Sequence, residues 1–354
     1  MRKKQFLLAV IAFCLCIPTN AKIKITPTEN KTIKNGQSIF YSLPKNELCI
    51  TIKTVHTWYK KGPFYRYAGR FLAEDNIITE DNDSWNIESI EIENKAIADT
   101  SQFFQITPSK KSIANLITLN EKGIICGINT PKQGNRNTEN STIIASFCTP
   151  EFEFDKSVLG EEALIANSTA KMAELAAKQI YHIRENRSLL LTGDLEFPAD
   201  SESLKVLLNE MEQMEQKLLE LFVGKEIKKN HTKVIYFSPD AETDEVLIRF
   251  SKVAGLVDKD DLSGEPIYIK ISTEKSNLNL HPKKKEKSGI HYRYPATANI
   301  AIYNATDINI NCRYPIAQLG DILILPNALL KKGNQIEFDE NNGQLIQIKT
   351  EKEH

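Results

Sequence analysis

The sequence predicts an α+β protein in which two β-rich, sandwich-like domains are joined by a central antiparallel helical hairpin. Two observations carry this reading. Toward both ends the apolar residues alternate, among β-branched and aromatic residues, between turns rich in Gly, Pro and Asn, as half-buried strands do. In the middle the alternation gives way to Ala, Leu, Glu, Lys and Met, with apolar residues three and four apart on one helical face. The organisation that follows is a signal peptide over 1–21, an N-terminal β domain over 22–157, a helical hairpin over 158–225 and a C-terminal β domain over 226–350.

The first segment reads as an export signal. Arg2, Lys3 and Lys4 precede an apolar core from Phe6 to Ile17, which is too short to span a bilayer. Pro18 breaks the run, and Ala21 supplies the small residue that suits cleavage. No later run is apolar enough to cross a membrane as a helix, so the expected location is periplasmic or extracellular. Four cysteines follow the leader: Cys49, Cys126, Cys148 and Cys312. In an oxidising compartment Cys126 and Cys148, on neighbouring strand-like runs, form the preferred pair; buried free thiols are the other reading.

The first β region opens with "SIFYSLPKNELCITIKTVHTWY", whose Pro44 predicts a bend or bulge. Gly62-Pro63 marks a turn, and Tyr65 to Leu72 is short enough for one helical turn or two. "SWNIESIEIENKAIAD", "SIANLITLNEKGIICGI" and "STIIASFCTPEFEF" supply further strands. The helical region predicts one helix over 161–190, with Ile165, Met172, Ala173, Ala176, Ile180 and Ile183 on its apolar face. A second helix runs over 201–223, with Leu204, Leu207, Leu208, Met211, Met214, Leu218, Leu221 and Phe222 as its stripe. Asp200 suits its N-cap and Gly224 its C-terminal stop. Strands return from Thr232 onward, and Asn342-Gly343 gives the strongest hairpin signal. A faint echo links the two β regions: "FYSLPKNELCITI" and "HYRYPATANIAIY" share a Tyr, two residues, a Pro and an alternating tail. Duplication and chance both explain it.

With 45 basic and 46 acidic residues in 354, the chain has no basic excess for a nucleic-acid partner. The densest stretch, "AAKQIYHIRENRSLLLTGDLEFPAD", reads as a structural corner. Arg184 and Arg187 share a helical face and are expected to serve helix-end carbonyls and pair with Asp194 or Glu196. Gly193 ends the first helix in a left-handed conformation, and Asp200 caps the second. The aromatic cluster Trp58, Tyr59, Tyr65 and Tyr67, around Gly62-Pro63, is the candidate ligand-binding surface, as a platform for sugar or peptide; the edge of a core is its alternative. The acidic loop "VDKDDLSGE" lacks EF-hand spacing, and "HPKKKEK" reads as a solvated tip. The histidines lack ligand spacing. No metal, cofactor or catalytic residue is therefore assigned.

Several long stretches carry a resemblance. "AKMAELAAKQIYHIRENRSLLLTGDLEFPAD", "KGPFYRYAGRFL", "VDKDDLSGEPIYI" and "YPIAQLGDILILP" together resemble an uncharacterised family of exported Bacteroidota proteins known as domain of unknown function 4831. Ser201 stands where that family often carries Gly. The resemblance implies an envelope or surface location and no particular reaction. The expected function is a non-enzymatic binding or structural module of the cell envelope, with glycan or an envelope protein as partner. The competing expectation is a hydrolase acting on envelope or dietary glycan. Self-association through the helices is a third.

Overall fold

The computed structural model describes residues 24–27, 38–107, 117–130, 153–193, 201–274, 289–330 and 333–350. Strand β1 is Lys24–Pro27, β2 Ile39–Lys60 and β3 Asn82–Thr107. Strands β4 (Ile117–Leu119) and β5 (Ile125–Ile128) are short. Helices α1 (Ala68–Phe71), α2 (Glu161–Leu164), α3 (Thr169–Thr192) and α4 (Ser201–Val223) complete the first two thirds. Then come β6 (Lys225–Phe237), β7 (Thr243–Ser251), β8 (Gly255–Val257), β9 (Glu265–Thr273), β10 (Gly289–Tyr303), β11 (Asn309–Pro326), β12 (Gln335–Phe338) and β13 (Leu345–Lys349). The protein is β-rich, with antiparallel sheets and a helical layer.

The strands among the described residues form three sheets, ordered β1-β3-β2-β6, β11-β10-β9-β7-β8 and β13-β12-β5-β4. Strand β6 follows the helices and lies antiparallel against β2, from Leu48↔Phe237 to Lys60↔Lys225. Strand β12 likewise pairs with β5. Alternation along a strand tells which side is apolar, not which strand lies beside it, so these long-range partners were invisible in the sequence.

Three apolar clusters hold the layers. Leu48, Ile50 and Ile52 of β2 share one with Ile267, Ile269 and Ile271 of β9 and Ile300 and Ile302 of β10, so the first two sheets face each other across a common core. Tyr41, Leu43, Phe104 and Ile106 share another with Ile125, Ile128, Ile336 and Phe338 of the third sheet. The third joins α3 and α4 to Phe64, Ala68, Leu72, Leu159 and Ala163. Each fully buried large apolar side chain contributes about 1.5–3 kcal/mol, so no single sheet face is stable without its cover.

The two prolines of the sequence echo have the same structural effect. Around Pro44 the register jumps from Ser42↔Phe103 to Pro44↔Ala98. Around Pro295 it jumps from Tyr294↔Asp321 to Ala296↔Ile316. In each case two residues forward on the proline strand answer five on its partner. Proline cannot donate to the ladder, so the partner strand is released locally and bulges. The two bulges grip each other's hairpins. Asp99, in the β3 bulge, takes a 2.5 Å ion pair from Arg293 of β10. Asn46 of β2 accepts from the Ala317 backbone N–H in the β11 bulge at 2.7 Å, and its own backbone N–H donates to Gln318 Oε1 at 2.8 Å. Tyr41 reinforces the junction: its hydroxyl accepts from the His291 backbone N–H at 3.0 Å.

The expected single helix over 161–190 is two helices. The chain leaves the helix after α2, and the Ser168 side chain accepts from Lys171 N–H to start α3 afresh. A serine N-cap competes with continued helix by satisfying the new first turn, and Ile165 is left exposed. Helix α4 spans the expected residues, and Gly224, at φ +94°, ends it. Gly62 seats the layer, because a Cβ there would lie 2.3 Å from the Leu221 carbonyl oxygen. The neighbouring Phe64 N–H donates to that same oxygen at 2.8 Å.

Candidate functional site

The dense charged stretch is placed as follows. Gly193 caps α3 at φ +81°, its N–H donating to Leu189 O. Asp194, Glu196 and Asp200 lie outside the described residues. The arginines find a partner that the sequence reading missed: Arg184 Nε lies 2.6 Å and Arg187 Nη1 2.8 Å from opposite oxygens of Glu215 on α4. The Glu215 side chain is 7 % exposed, whereas the arginines are about a third exposed. Glu215 is one of several glutamates on α4, and only the packing of α3 against α4 singles it out. The three side chains fasten the two helices together.

The four candidate aromatics divide among separate surroundings. Trp58 and Tyr59 are consecutive on β2 and so project from opposite faces of the sheet. Tyr65 has the Arg66 guanidinium 5.5 Å from its ring centre and accepts from Arg66 Nε at 3.0 Å. Tyr67 stacks on Phe71 and packs against the helical core. Trp58 is the member with a distinctive neighbourhood.

On the Trp58 face of β2, residues Thr54, His56 and Trp58 alternate inward toward the second sheet. The β2–β3 register sets His56 opposite Trp85 and Trp58 opposite Asp83, and the β2–β6 register sets Thr54 opposite His231. The His56 ring lies 3.7 Å from Trp58 and 4.1 Å from Trp85, centre to centre, and Trp85 lies 4.8 Å from His231. His56 Nε2 makes a 2.7 Å hydrogen bond with Asp83 Oδ2. With Asp83 accepting, neutral His56 is the Nε2–H tautomer and leaves Nδ1 as an acceptor. The turn between β7 and β8 closes over Trp85: the Trp85 backbone N–H donates to Lys252 O at 2.8 Å, and Gly255 admits the indole where a Cβ would stand 2.9 Å away.

This end of the β layers is graded in exposure. Trp85 is buried, His56 nearly so, Trp58 half-buried, and Asp83 reaches solvent with 45 % of its side chain exposed. Burial, and then the positive charge of Lys229 and the nearby His56, hold the His231 imidazole below its ordinary pKa. The arrangement provides a flat indole surface beside a carboxylate-oriented imidazole. That is a mixture suited to ring-shaped polar ligands, and an acid/base pair in form. His56 and Trp58 stand two apart in an alternating strand, which was a readable signal. Asp83, Trp85 and His231 required the register.

The remaining candidates are ordinary. Cys49, Cys126 and Cys312 stand as free thiols among the described residues; Cys148, the preferred partner of Cys126, lies outside them. Burial pushes the Cys126 thiol up to about 11, with Glu340 nearby adding to the effect, which suits a packed and unreactive thiol. In the acidic loop, Asp261 accepts from Ser263 N–H as a turn residue does. Among the described residues no group of three His, Cys, Asp or Glu is placed to hold a metal ion. No helix among them is long and apolar enough to cross a membrane. The basic run at 281–287 lies outside the described residues.

Comparison with known proteins adds one finding. A family model described as Domain of unknown function (DUF4831) matches residues 35–346. No curated protein and no solved structure matches the chain.

Proposed function

This chain belongs to the DUF4831 family, and from that footing we propose that it is an exported, non-enzymatic module of the cell envelope that binds glycan or an envelope protein at its Trp58 end. The observation that carries the binding site is the half-buried Trp58, held by His56 at 3.7 Å beside the His56–Asp83 pair. A rigid indole with adjacent hydrogen-bonding groups is the usual chemistry of a small, specific contact surface. Export rests on the N-terminal sequence: the basic residues, the apolar core and Ala21. In architecture, the shared core of β2, β9 and β10 supports a sandwich, and the convergence of Arg184 and Arg187 on Glu215 supports an antiparallel α3–α4 hairpin.

The His56–Asp83 pair also favours a second reading, a glycan hydrolase with that pair as acid and base. One experiment separates the two. The chain from Lys22 onward, and its Trp58→Ala and His56→Ala variants, would be screened on immobilised envelope polysaccharides and envelope protein extracts, with product release followed in parallel. The binding reading expects retention of the wild type, weakened at least about tenfold in Trp58→Ala, with no soluble product. Sugar release lost in His56→Ala would replace it with the hydrolase. Equal retention of wild type and Trp58→Ala would remove Trp58 from the site.

A further inference from the structure

Two carboxylates lie at the Trp58 end of the first sheet, and they differ in how far they are used. Asp81 is saturated: its Oδ1 accepts from the Lys61 backbone N–H at 2.9 Å, and its Oδ2 is paired with Lys60. Asp83 is not. Its Oδ2 meets His56 Nε2 at 2.7 Å, and among the described residues nothing bonds to its Oδ1. Nearly half of this side chain is open to solvent. The register sets Asp83 directly opposite Trp58. Residues so opposed in an antiparallel pair have Cβ atoms about 5 Å apart, so an oriented acceptor stands beside the half-buried indole. His56 is stacked on Trp85 with 16° between the ring planes, and Trp85 is pinned by Lys252 O and Gly255. The carboxylate is thus set before any ligand arrives, and little ordering is left for binding to supply.

Three ligand chemistries meet this end differently. An anion brings no donor to Asp83 and faces a like charge there. A cation suits an indole beside a carboxylate in isolation, but the neighbours oppose it. Lys60 follows Trp58 by two on the same face of β2, and Lys229 stands opposite His56 on β6. The positive charge of Lys229 is felt on this face, where it helps to lower the His231 pKa. Lys60 and Lys229 stand against Asp81 and Asp83, so with His56 neutral these groups carry no net charge. A neutral polyol meets neither obstacle. A sugar ring has a C–H face for the indole and hydroxyls at its rim, and a hydroxyl donating to a carboxylate makes a charge-assisted bond.

Resting on the reading of the Trp58 end as the contact surface, we propose that its ligand is a neutral glycan, with one sugar ring laid on the Trp58 indole and a ring hydroxyl donating to Asp83 Oδ1. His56 is the positioning residue that aims the carboxylate.

Biolayer interferometry of the whole chain against immobilised β-glucan, mannan, xylan, polygalacturonate and polylysine tests this. Binding is expected to at least one of the three neutral polymers and to neither charged one, and it should persist in high salt because no ionic attraction drives it. Trp58→Ala and Asp83→Ala should each weaken it at least about tenfold. Asp83→Asn keeps an acceptor oxygen without the charge and should weaken it less, which keeps the test informative where the alanine variant fails to fold. Trp58-dependent binding of polygalacturonate or polylysine in place of the neutral polymers would overturn the choice of ligand and leave the contact surface standing. Neutral-polymer binding indifferent to Trp58→Ala would overturn both. Binding to none of the neutral polymers, or binding that both Asp83 variants leave unchanged, would overturn the proposal.

Discussion

Replacing Asp99 by alanine should be the most damaging polar substitution in this molecule. Its side chain is 9 % exposed and that of its partner Arg293 is 6 %, with 2.5 Å between them. Burial lowers the Arg293 pKa, and Asp99 opposes that shift by charge and hydrogen bond. Removing the carboxylate leaves a buried cation with no counter-charge, which costs about 3–5 kcal/mol. It also strips the Ser101 N–H of the acceptor that it reaches at 3.0 Å, worth roughly 1 kcal/mol more. A loss of ~5 kcal/mol in a single transition of a chain of 354 residues lowers the Tm by about 7 °C. Urea titration followed by the fluorescence of Trp58 and Trp85, beside circular dichroism, would measure it. The control is the apolar pair Asp99→Leu with Arg293→Met, which buries no charge and should fall within ~1–2 kcal/mol of wild type. If Asp99→Ala costs less than ~1 kcal/mol, or the apolar pair costs as much as the single change, the junction is not held by this ion pair.

Further outcomes follow from the same geometry. Glu215→Ala should cost less than Asp99→Ala, about 1–3 kcal/mol, because Arg184 and Arg187 are a third exposed and can rehydrate; chemical denaturation compares the two directly. Gly193→Ala meets no atom within 4 Å and pays only for its positive φ, about 1 kcal/mol, whereas Gly62→Ala drives a methyl against the Leu221 carbonyl and should cost at least twice that by the same assay. Burial lowers the His291 pKa, so the unfolded chain takes up this proton first as the pH falls. Its contribution to stability is whole above about pH 6.5 and is lost as the pH drops toward the folded value. His291→Phe, which keeps the stack on Phe104, should flatten the urea midpoint between pH 7 and pH 5 by up to ~1.4 kcal/mol per pH unit; an unchanged slope would show that His291 does not titrate with unfolding.

What the sequence revealed was local, and what it hid was pairing. Helix α4 was legible from Ser201 to Val223 because its apolar spacing is regular and Gly224 stops it. The start of α3 was misread because spacing cannot register that Ser168 offers a better hydrogen bond to a new first turn than to a continuing helix. Pro44 announced its bulge, since a missing N–H is a property of the residue itself. That Asp99 would meet Arg293 was beyond reach, because the contact spans 194 positions and passes through both bulges. The same holds for the candidate site. Trp58 could be named, but His56 acquires its partner Asp83 from a return strand 27 residues on, in a register displaced by the irregularity at Lys53 and Thr54.

The partnership of β2 with β6 bears on how the chain comes into being. A nascent polypeptide delivers residues 39–107 long before residues 225–237, and those well before 335–338. Until the late segments arrive, Leu48, Ile50 and Ile52 have no second layer, and one flank of β2 lacks its neighbour. Sticky, half-made ribbon is the state in which chains misassociate, so maturation here must wait for the carboxyl-terminal third and cannot proceed piecemeal from the front. Amino-terminal fragments released before Phe237 should accordingly precipitate or recruit a holding chaperone, while the whole chain closes in one concerted step.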